Sequence, residues 1–496
     1  MSRVVVIGAG LGGLGVALRL QSAGHDVIVV EGRERPGGRA YQIRDMGFTW
    51  DTGPSLITMP WVLEDTFNAG GLDVHSELDL VQLDPFYRIF WEGEDRHLDF
   101  VPGPERMKEQ IAKFSSRDAA AFDGFMAALK PIYENGIVDA GQRSFERPRD
   151  LARVTPELAR MGALRTLYGF VSKHFRDERI REAFSFHSLF IGGDPFRVPA
   201  IYGALVYLQF LDKVWYARGG VYSMVEALAG PLDVRCGERV ARIEQAGGAV
   251  SGVVLEGGTQ IAADVVVSNA DVLRTHELLG RRAPLRRLKP TMSCFMLYLG
   301  TDRPFPRLEH HTLTVGKGYR NFIRSVTRTG RVPQGFSTYI HAPSRTEPAM
   351  ARPGGDSIAI LLPVPNLADG PADWDETADE LRDTLLESLE RDFGLDGLRE
   401  SIIAEYRMTP ADFESELGAV AGNAFATEPT LHQSAWFRTH NRDARVSGLY
   451  HVGGGTHPGA GIPGVLLGAK VTAGLVAEDV PRPVATRRGA QTAAAR

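Results

Sequence analysis

The chain opens on alternating apolar and mixed segments that predict a strand, a helix and a second strand. Arg3–Ile7 is a short continuous apolar run, which is typical of a strand covered on both faces. Residues 14–23 have helical character, and Gly24 is a fitting stop for that helix. Asp26–Val30 is a second apolar run. This order of elements predicts the beginning of a parallel sheet with helices on its faces.

A glycine motif connects the first predicted strand to the first predicted helix. Residues 8–13 read G-x-G-x-x-G, and Glu31 follows the second strand. Glycines permit a tight turn and let backbone N–H groups approach a pyrophosphate at the helix N-terminus, and an acidic side chain after the second strand accepts hydrogen bonds from a ribose. The pattern therefore predicts a dinucleotide site. Its expected contacts are Gly8, Gly10, Leu11, Gly12, Gly13 and Glu31.

A second glycine-rich loop favours FAD over NAD as the dinucleotide. Residues 34–39 carry Gly38 and Arg39, which bring backbone donors and a guanidinium toward a diphosphate or a flavin edge. Gly53 and Pro54 follow in a further turn. NAD-binding Rossmann domains lack this element, whereas glutathione-reductase-type flavoproteins of the amine-oxidase branch resemble it. We therefore expect all four residues to contact FAD.

Two later segments are expected to return to the nucleotide domain. Residues 232–271 alternate short apolar runs with glycine turns, and we expect a backbone contact to adenine near Val240. Residues 448–452 predict a strand, residues 453–464 a glycine-dense turn, and residues 465–478 a helix. The N-terminus of that helix would aim its N–H groups at the N1–C2=O edge of the isoalloxazine. The contacts predicted there are Gly455, Thr456, Gly464 and Val465.

These motifs together resemble the bacterial phytoene desaturases, a carotenoid-desaturase branch of the FAD-dependent amine-oxidase-like superfamily. The most specific part of the resemblance is residues 455–464, G-T-H-P-G-A-G-I-P-G. Other segments that carry it are residues 8–13, 36–39, 51–54, 185–189, 219–220, 433–438 and 440–443. The resemblance spans most of the chain.

The resemblance implies a reaction and its partners. We expect an FAD-dependent desaturase that introduces C=C bonds into phytoene or a related long polyene hydrocarbon by hydride transfer to flavin N5. A quinone or oxygen would accept the electrons. Two alternatives stay open: a carotenoid cis–trans isomerase that uses reduced FAD, and a desaturase of an already conjugated carotenoid (3,4-desaturation). An amine or porphyrinogen oxidase fits less well, because residues 183–211 are aromatic and poor in charge.

Residues 183–211 admit two interpretations, a lid or membrane-facing patch for a water-insoluble substrate, or the core of a second domain. Glycines and prolines interrupt the segment, so it is not one spanning helix. Phe186, Trp436 and Phe437 are candidate substrate-lining residues. His187 is a weak catalytic candidate, because a satisfied core histidine is the commoner state. No other catalytic acid or base is assigned.

Composition excludes several classes of partner. The formal net charge of −5 offers no basic excess for nucleic acid, and Cys236 and Cys294 are too far apart for a thiolate metal site. His310, His311 and His457 have no ligand partners at useful spacing, so we expect no metal. A strand starting at Arg3 leaves no room for a signal peptide. We expect a cytoplasmic protein, peripheral on the inner face of the plasma membrane.

The predicted fold is α/β: a glutathione-reductase-type FAD-binding Rossmann domain built from discontinuous segments, with an inserted α+β substrate domain. The FAD-binding segments are expected at residues 1–75, 218–290 and 425–480. The inserted parts are a substrate or membrane-facing region at 76–217 and a substrate-domain sheet at 291–424, and 481–496 is expected to be a disordered tail.

Overall fold

The computed structural model describes residues 2–332, 335–371 and 373–480. The tail predicted at 481–496 lies outside the described residues. In chain order, the strands are β1 (Arg3–Ile7), β2 (Asp26–Val30), β3 (Gln42–Asp45), β4 (Phe48–Asp51), β5 (Leu80–Gln82), β6 (Tyr87–Trp91), β7 (His97–Phe100), β8 (Trp215–Ala217), β9 (Asp233–Arg235), β10 (Val240–Ala246), β11 (Ala249–Leu255), β12 (Gln260–Ala262), β13 (Val265–Ser268), β14 (Ser293–Thr301), β15 (His311–Val315), β16 (Thr338–His341), β17 (Ser357–Val364), β18 (Ile402–Met408) and β19 (Leu449–His451).

Helices occupy much of the remaining chain. In the same order they are α1 (Leu11–Ser22), α2 (Pro60–Ala69), α3 (Val74–Glu77), α4 (Pro104–Ala112), α5 (Ser116–Tyr133), α6 (Pro148–Arg160), α7 (Leu167–His174), α8 (Glu178–Ser185), α9 (Ala204–Asp212), α10 (Tyr222–Ala229), α11 (Val272–Leu278), α12 (Tyr319–Arg324), α13 (Trp374–Phe393), α14 (Leu398–Ser401), α15 (Pro410–Leu417) and α16 (Ile462–Asp479). Short 3₁₀ or π-helical turns are at Glu134–Asp139, Ala140–Gln142, Phe186–Ile191, Ala200–Gly203, Ser325–Thr329, Pro343–Arg345, Pro348–Met350, Val420–Gly422, Leu431–Gln433 and Ala435–Phe437.

A five-stranded parallel sheet in the order β19-β13-β1-β2-β9 forms the first layer. Its central strand is covered on both faces, because Val4 and Val6 belong to the main hydrophobic core while Val5 and Ile7 pack in a smaller cluster. The sheet β10-β11-β12 supplies much of that second cluster. The α/β fold predicted from the sequence is confirmed, with its first two strands at the predicted bounds.

A seven-stranded sheet in the order β18-β14-β17-β16-β15-β6-β7 forms the second layer. Its pairs are antiparallel except for β15 with β6, where Leu313 lies opposite Ile89. The sheet therefore extends beyond the predicted segment 291–424, because two of its strands come from residues 76–217. Pairing between strands so distant in sequence leaves no local signal that the chain could show beforehand. The segment boundaries themselves remain predictions.

The aromatic segment 183–211 is broken into short pieces, as its glycines and prolines predict. It runs from the end of α8 through the 3₁₀ turns Phe186–Ile191 and Ala200–Gly203 into α9. Phe184 and Phe186 are buried in the main core, whereas Leu211 is exposed. Within the described part of the chain, none of the helices has the length and apolar character needed to cross a membrane.

Candidate cofactor and substrate cavity

A cavity of about 660 Å³ is lined by residues from both sheets. One end lies at the carboxyl ends of the parallel strands, where Gly8 follows β1, Glu31 follows β2, Asn269 follows β13 and Gly453 comes shortly after β19. In open parallel sheets this edge is the usual place for a ligand, because the connecting loops diverge there. The position therefore agrees with the dinucleotide site expected from the glycine motif.

At the glycine motif, neighbouring atoms lie so close to the backbone that a side chain would clash with them. The Gly8 N–H donates to the Val30 carbonyl oxygen at 2.8 Å, which brings the β1 turn against β2. A Cβ atom at Gly13 would lie 2.1 Å from the Gly8 carbonyl oxygen, and one at Gly12 would lie 2.7 Å from Asn269 Oδ1. Helix α1 then begins at Leu11, inside the motif, with no side-chain cap on its first N–H groups. Those N–H groups are available to an anion.

Glu31 joins the two loops at this end of the cavity. Its Oε2 accepts a hydrogen bond from the Ala9 N–H at 2.8 Å, and its Oε1 accepts one from the Arg33 N–H at 2.9 Å. The side chain is buried and lines the cavity. Because a carboxylate has about four acceptor positions, capacity remains for a hydroxyl donor from a ligand. The contact to a ribose remains a prediction.

Arg39 places a half-buried cation on the cavity wall. Its Nη2 donates to the carbonyl oxygen of Asn423 at 3.1 Å and to Asn423 Oδ1 at 3.2 Å. Burial lowers the pKa of the guanidinium, and the nearby Asp271 carboxylate opposes that shift. Its Nε is buried and has no hydrogen-bond partner among the described residues. An unsatisfied buried guanidinium nitrogen favours an anionic or strongly accepting ligand group.

A second cation, Arg438, is buried at the glycine-dense turn. Its Nη2 donates to the Gly454 carbonyl oxygen at 2.5 Å, and its Nη1 donates to that of Gln433 at 3.4 Å. Burial lowers the pKa of this guanidinium as well, and its Nε also lacks a partner among the described residues. Helix α16 begins at Ile462 without a side-chain cap. Arg438, Gly464 and the start of α16 line the same cavity.

This end of the cavity fits FAD. Two guanidinium groups with buried Nε atoms and two uncapped helix N-termini supply unpaired donors, and the glycines leave the backbone accessible. FAD carries an anionic diphosphate and a ring edge that accepts hydrogen bonds. The donor set is therefore the one that such a cofactor needs. When bound, FAD supplies hydride-accepting chemistry.

Most of the residues predicted to contact FAD or substrate line the cavity. They are Gly8, Gly10, Leu11, Gly12, Glu31, Gly38, Arg39, Gly53, Pro54, Val240, Gly455, Gly464, Val465 and Phe186. Gly13 and Thr456 lie behind the wall, where the Thr456 hydroxyl donates to the Gly453 carbonyl oxygen at 2.9 Å. Trp436 and Phe437 do not line the cavity, and Phe437 is 45% exposed. The individual contacts with ligand remain predictions.

His187 lies in an aromatic core behind the cavity wall. Its Nε2 is 2.5 Å from the hydroxyl oxygen of Tyr87, and its ring stacks on Phe186 with centroids 4.4 Å apart. Burial lowers the pKa of His187 to about 3, so the ring is neutral at ordinary pH. The side chain is fully buried and does not line the cavity. Its Nδ1 is buried without a hydrogen-bond partner among the described residues, so the ring is only half satisfied, and its place behind the wall favours a core histidine over a catalytic one.

The structure corrects the expectation that His310 and His311 have no ligand partners, because His341 joins them in a buried cluster behind Tyr339, next to the cavity. Tyr339 on β16 lines the cavity, and the tyrosine hydroxyl is hydrogen bonded to Ser55 Oγ and to His311 Nδ1, the latter at 2.7 Å. His310 and His341 complete a buried cluster in which one nitrogen of each ring lies within 4.8 Å of the others. Burial lowers the pKa of all three histidines. His341 joins His311 only through the pairing of β15 with β16, which sequence spacing does not show.

Asn269, Asp271 and Arg438 are the cofactor-end residues that were not predicted. All three line the cavity. Asn269 and Asp271 occupy the S-N-A-D turn after β13, so their position after a buried strand was a usable signal. Arg438 comes from an irregular segment whose sequence alone indicates no direction for the side chain.

Comparison with known proteins places the chain among flavoproteins. Residues 11–477 match the family described as flavin containing amine oxidoreductase. A lycopene-forming phytoene desaturase of Pseudescherichia vulneris is 40% identical, over 97% of this chain and 100% of the relative. A neurosporene-forming phytoene desaturase of Cereibacter sphaeroides is 37% identical, over 99% of this chain and 97% of that protein. A redesigned putrescine oxidase superposes with a TM-score of 0.65 at 14% identity, over 96% and 99% of the two chains, which shows the shared fold.

Proposed function

Because this chain belongs to the flavin containing amine oxidoreductases, and within them to the phytoene desaturases, we propose that it is an FAD-dependent carotenoid desaturase. It introduces C=C bonds into phytoene or a related long polyene. The observation that carries this proposal is the sequence identity, over nearly the full length, to two phytoene desaturases. The first is 40% identical and forms lycopene, and the second is 37% identical and forms neurosporene.

The apolar part of the cavity supports a hydrocarbon substrate. The residues lining it include Phe186, Leu189, Phe190, Leu205, Leu208 and Leu313. A hydrocarbon has no hydrogen-bonding group, so selectivity depends on the shape and length of the cavity and on where it meets the cofactor end. Apolar walls also exclude water, which protects a cationic intermediate on the polyene.

The cofactor end has a different task, which is to hold and orient an anionic ligand. Arg39, Arg438 and the N-terminus of α16 direct positive charge into the cavity. Positive charge at this place favours the form of a bound group that has gained negative charge, and so it favours removal of hydride from the substrate. The protein contributes position and electrostatics, while the bound FAD contributes the redox chemistry.

The test is desaturation by the purified protein. Protein, FAD and liposomes are supplied with 15-cis-phytoene, and the visible spectrum and the product mass are followed. We expect long-wavelength fine structure and the loss of hydrogen atoms in pairs, whose number counts the steps. A reaction without FAD is the control. Phytoene recovered unchanged while FAD is bound would contradict the phytoene assignment, and isomers of unchanged mass would indicate a carotenoid isomerase instead.

We also propose that the protein attaches peripherally to the inner face of the plasma membrane, where its substrate dissolves. Helix α6 supports this, because Arg149, Arg153 and Arg160 are exposed on it and Leu164 is exposed just after it. Flotation with anionic liposomes tests the proposal, and an Arg149→Glu/Arg153→Glu variant should float less. Equal flotation of both proteins would contradict a role for α6.

The electron acceptor we propose is a quinone or oxygen. A membrane quinone suits an enzyme that takes its substrate from the same bilayer. Anaerobic reoxidation of the reduced protein by a quinone, compared with reoxidation by oxygen alone, measures which acceptor is faster.

A further inference from the structure

Desaturation removes a proton as well as a hydride, and the apolar cavity needs a group that receives this proton. We propose that Tyr339 and His311 form the proton-accepting pair of the reaction, a role that rests on the proposed desaturase function. His187, the one catalytic candidate from the sequence, lies behind the wall and is bonded to Tyr87. Tyr339 lies on the wall itself.

Tyr339 lies where the cofactor end of the cavity meets its apolar part. Its hydroxyl is hydrogen bonded to Ser55, which comes two residues after Gly53 of the predicted cofactor loop. Its ring packs edge-on against Phe190, a residue of the apolar lining, with centroids 5.9 Å apart. The hydroxyl therefore bridges the cofactor loop and the hydrocarbon wall.

The hydrogen-bond arrangement leaves Tyr339 able to accept a proton. Its oxygen is 2.7 Å from His311 Nδ1, and His311 is fully buried. Burial and the neighbouring histidines lower the pKa of His311, so its ring is neutral and one nitrogen carries a free lone pair. If the tyrosine donates to Nδ1 and accepts from Ser55, its oxygen retains one lone pair for a proton from the substrate.

The chemistry balances with these two groups. Transfer of a hydride to the bound cofactor oxidises the polyene by two electrons and leaves an allylic cation. A neighbouring C–H bond then breaks, and its electron pair becomes the second bond of the new C=C. The proton joins the oxygen of Tyr339, while the original hydroxyl proton moves to His311 Nδ1. Because a C–H bond beside a carbocation is strongly acidic, a neutral hydroxyl is a sufficient base.

The rest of the histidine cluster lies close to His311 but does not continue its hydrogen bond, because His311 Nε2 is buried without a partner among the described residues. Ring nitrogens of His310 and His341 lie within 4.8 Å of His311, and their Nε2 atoms are 3.2 Å apart. His310 Nδ1 is 2.6 Å from the hydroxyl oxygen of Thr346, which is only half-buried. One chain of hydrogen bonds therefore joins His341, His310 and Thr346, and it is separate from the pair formed by Tyr339 and His311.

The experiment compares Tyr339→Phe with the wild-type protein in the phytoene reaction. The variant loses only the hydroxyl, so we expect kcat to fall about a hundredfold while KM and bound FAD stay the same. A longer-lived cation should also give new products, either hydrated polyene or a C=C bond at a different carbon, which mass spectrometry detects. A purely structural role would not change the products. His311→Gln should produce the same new products with a smaller loss of rate.

The matched control is Tyr450→Phe, because Tyr450 is also buried and bonded to an acceptor, Asp479 Oδ2 at 2.6 Å, but does not line the cavity. We expect unchanged rate and products. Comparing bound FAD and the unfolding midpoint of both variants with those of wild type separates chemistry from misfolding.

Three results would overturn the assignment. If wild-type protein desaturates phytoene and Tyr339→Phe does so equally fast with the same products, the pair is not the proton acceptor. If the wild-type protein does not desaturate at all, the proposed function fails first. If the protein holds one zinc ion per chain that both His341→Gln and His311→Gln release, His311 is a metal ligand and its other nitrogen carries a proton, so it cannot accept one from Tyr339.

Discussion

The two ends of the cavity differ in which parts of the chain line them. The cofactor end consists of glycines, backbone N–H groups and arginines at the carboxyl ends of parallel strands. The substrate end consists of side chains, such as Leu313 and Tyr339, that the seven-stranded sheet brings together from different strands. The first end therefore depends mainly on backbone groups, with Arg39 and Arg438 added, and the second mainly on side chains.

Their electrostatics differ in the same way. Arg39 and Arg438 are cations whose Nε atoms are buried and have no partner among the described residues, so that end is arranged for an anion. The buried histidines of the other end are neutral, because burial lowers their pKa values. A charged end that binds a cofactor and a neutral, apolar end can share one cavity without opposing each other.

The largest expected effect comes from adding one carbon atom to the cofactor end. In Gly13→Ala the new Cβ would lie 2.1 Å from the Gly8 carbonyl oxygen, and neither backbone can move without displacing β1 or α1. We expect FAD affinity to fall about a thousandfold, or the protein to fail to fold. FAD titration followed by flavin fluorescence measures the change.

The control for this prediction is Gly474→Ala in α16, because no atom lies within 4 Å of the Cβ position there. Alanine is the better helix former, so this variant should bind FAD normally and be more stable by about 0.5–1 kcal/mol. Normal FAD binding by Gly13→Ala would show that the glycine turn is not the cradle that the geometry indicates.

A middle-sized effect is expected from a half-buried carboxyl group that does not line the cavity. Glu182 on α8 accepts a hydrogen bond from Trp91 Nε1 at 2.8 Å, and burial raises its pKa from 4.5 to about 7. The native state therefore favours the protonated form. The resulting stability is present below pH 4.5 and is lost as pH rises through 7, by about 3 kcal/mol in the free energy of unfolding.

Glu182→Gln keeps an acceptor for Trp91 and cannot ionise. At pH 8 it should be more stable than wild type by up to about 3 kcal/mol, with little difference at pH 4.5. Urea unfolding at the two pH values measures this. The control is Glu77→Gln, at an exposed position, which should not change the difference in unfolding free energy between the two pH values. An equal effect of Glu182→Gln at both would contradict the raised pKa.

The smallest effect is expected where a side chain supports the cofactor end. Asn269 Nδ2 donates to the Gly8 carbonyl oxygen at 3.3 Å, and Asn269 lies against Gly12 and Gly453. Asn269→Ala should weaken FAD binding about tenfold, since one modest hydrogen bond and some packing are lost. FAD titration of the variant Asn68→Ala, in which the replaced side chain is exposed, provides the comparison. A thousandfold loss would mean that this end, too, depends on side chains.

The sequence by itself predicted the first part of the cofactor end, whereas Asn269, Asp271 and Arg438 were identified only in the structure. The strands, glycine turns and Glu31 of that first part lie within about 30 residues, and the turn before α16 is similarly compact, so local spacing carries the chemistry. The same reasoning identified the broken aromatic segment, because glycine and proline interrupt helices wherever they occur.

The residues that lie together at the substrate end could be identified only from the tertiary structure. His311 and His341 are 30 positions apart and meet through the antiparallel register of β15 and β16, while Ser55 reaches Tyr339 from the first segment of the chain. Register and sheet order depend on which faces are buried together, and that is a property of the whole core. A pattern confined to neighbouring residues therefore predicts where backbone binds a cofactor, but not which distant side chains share a wall.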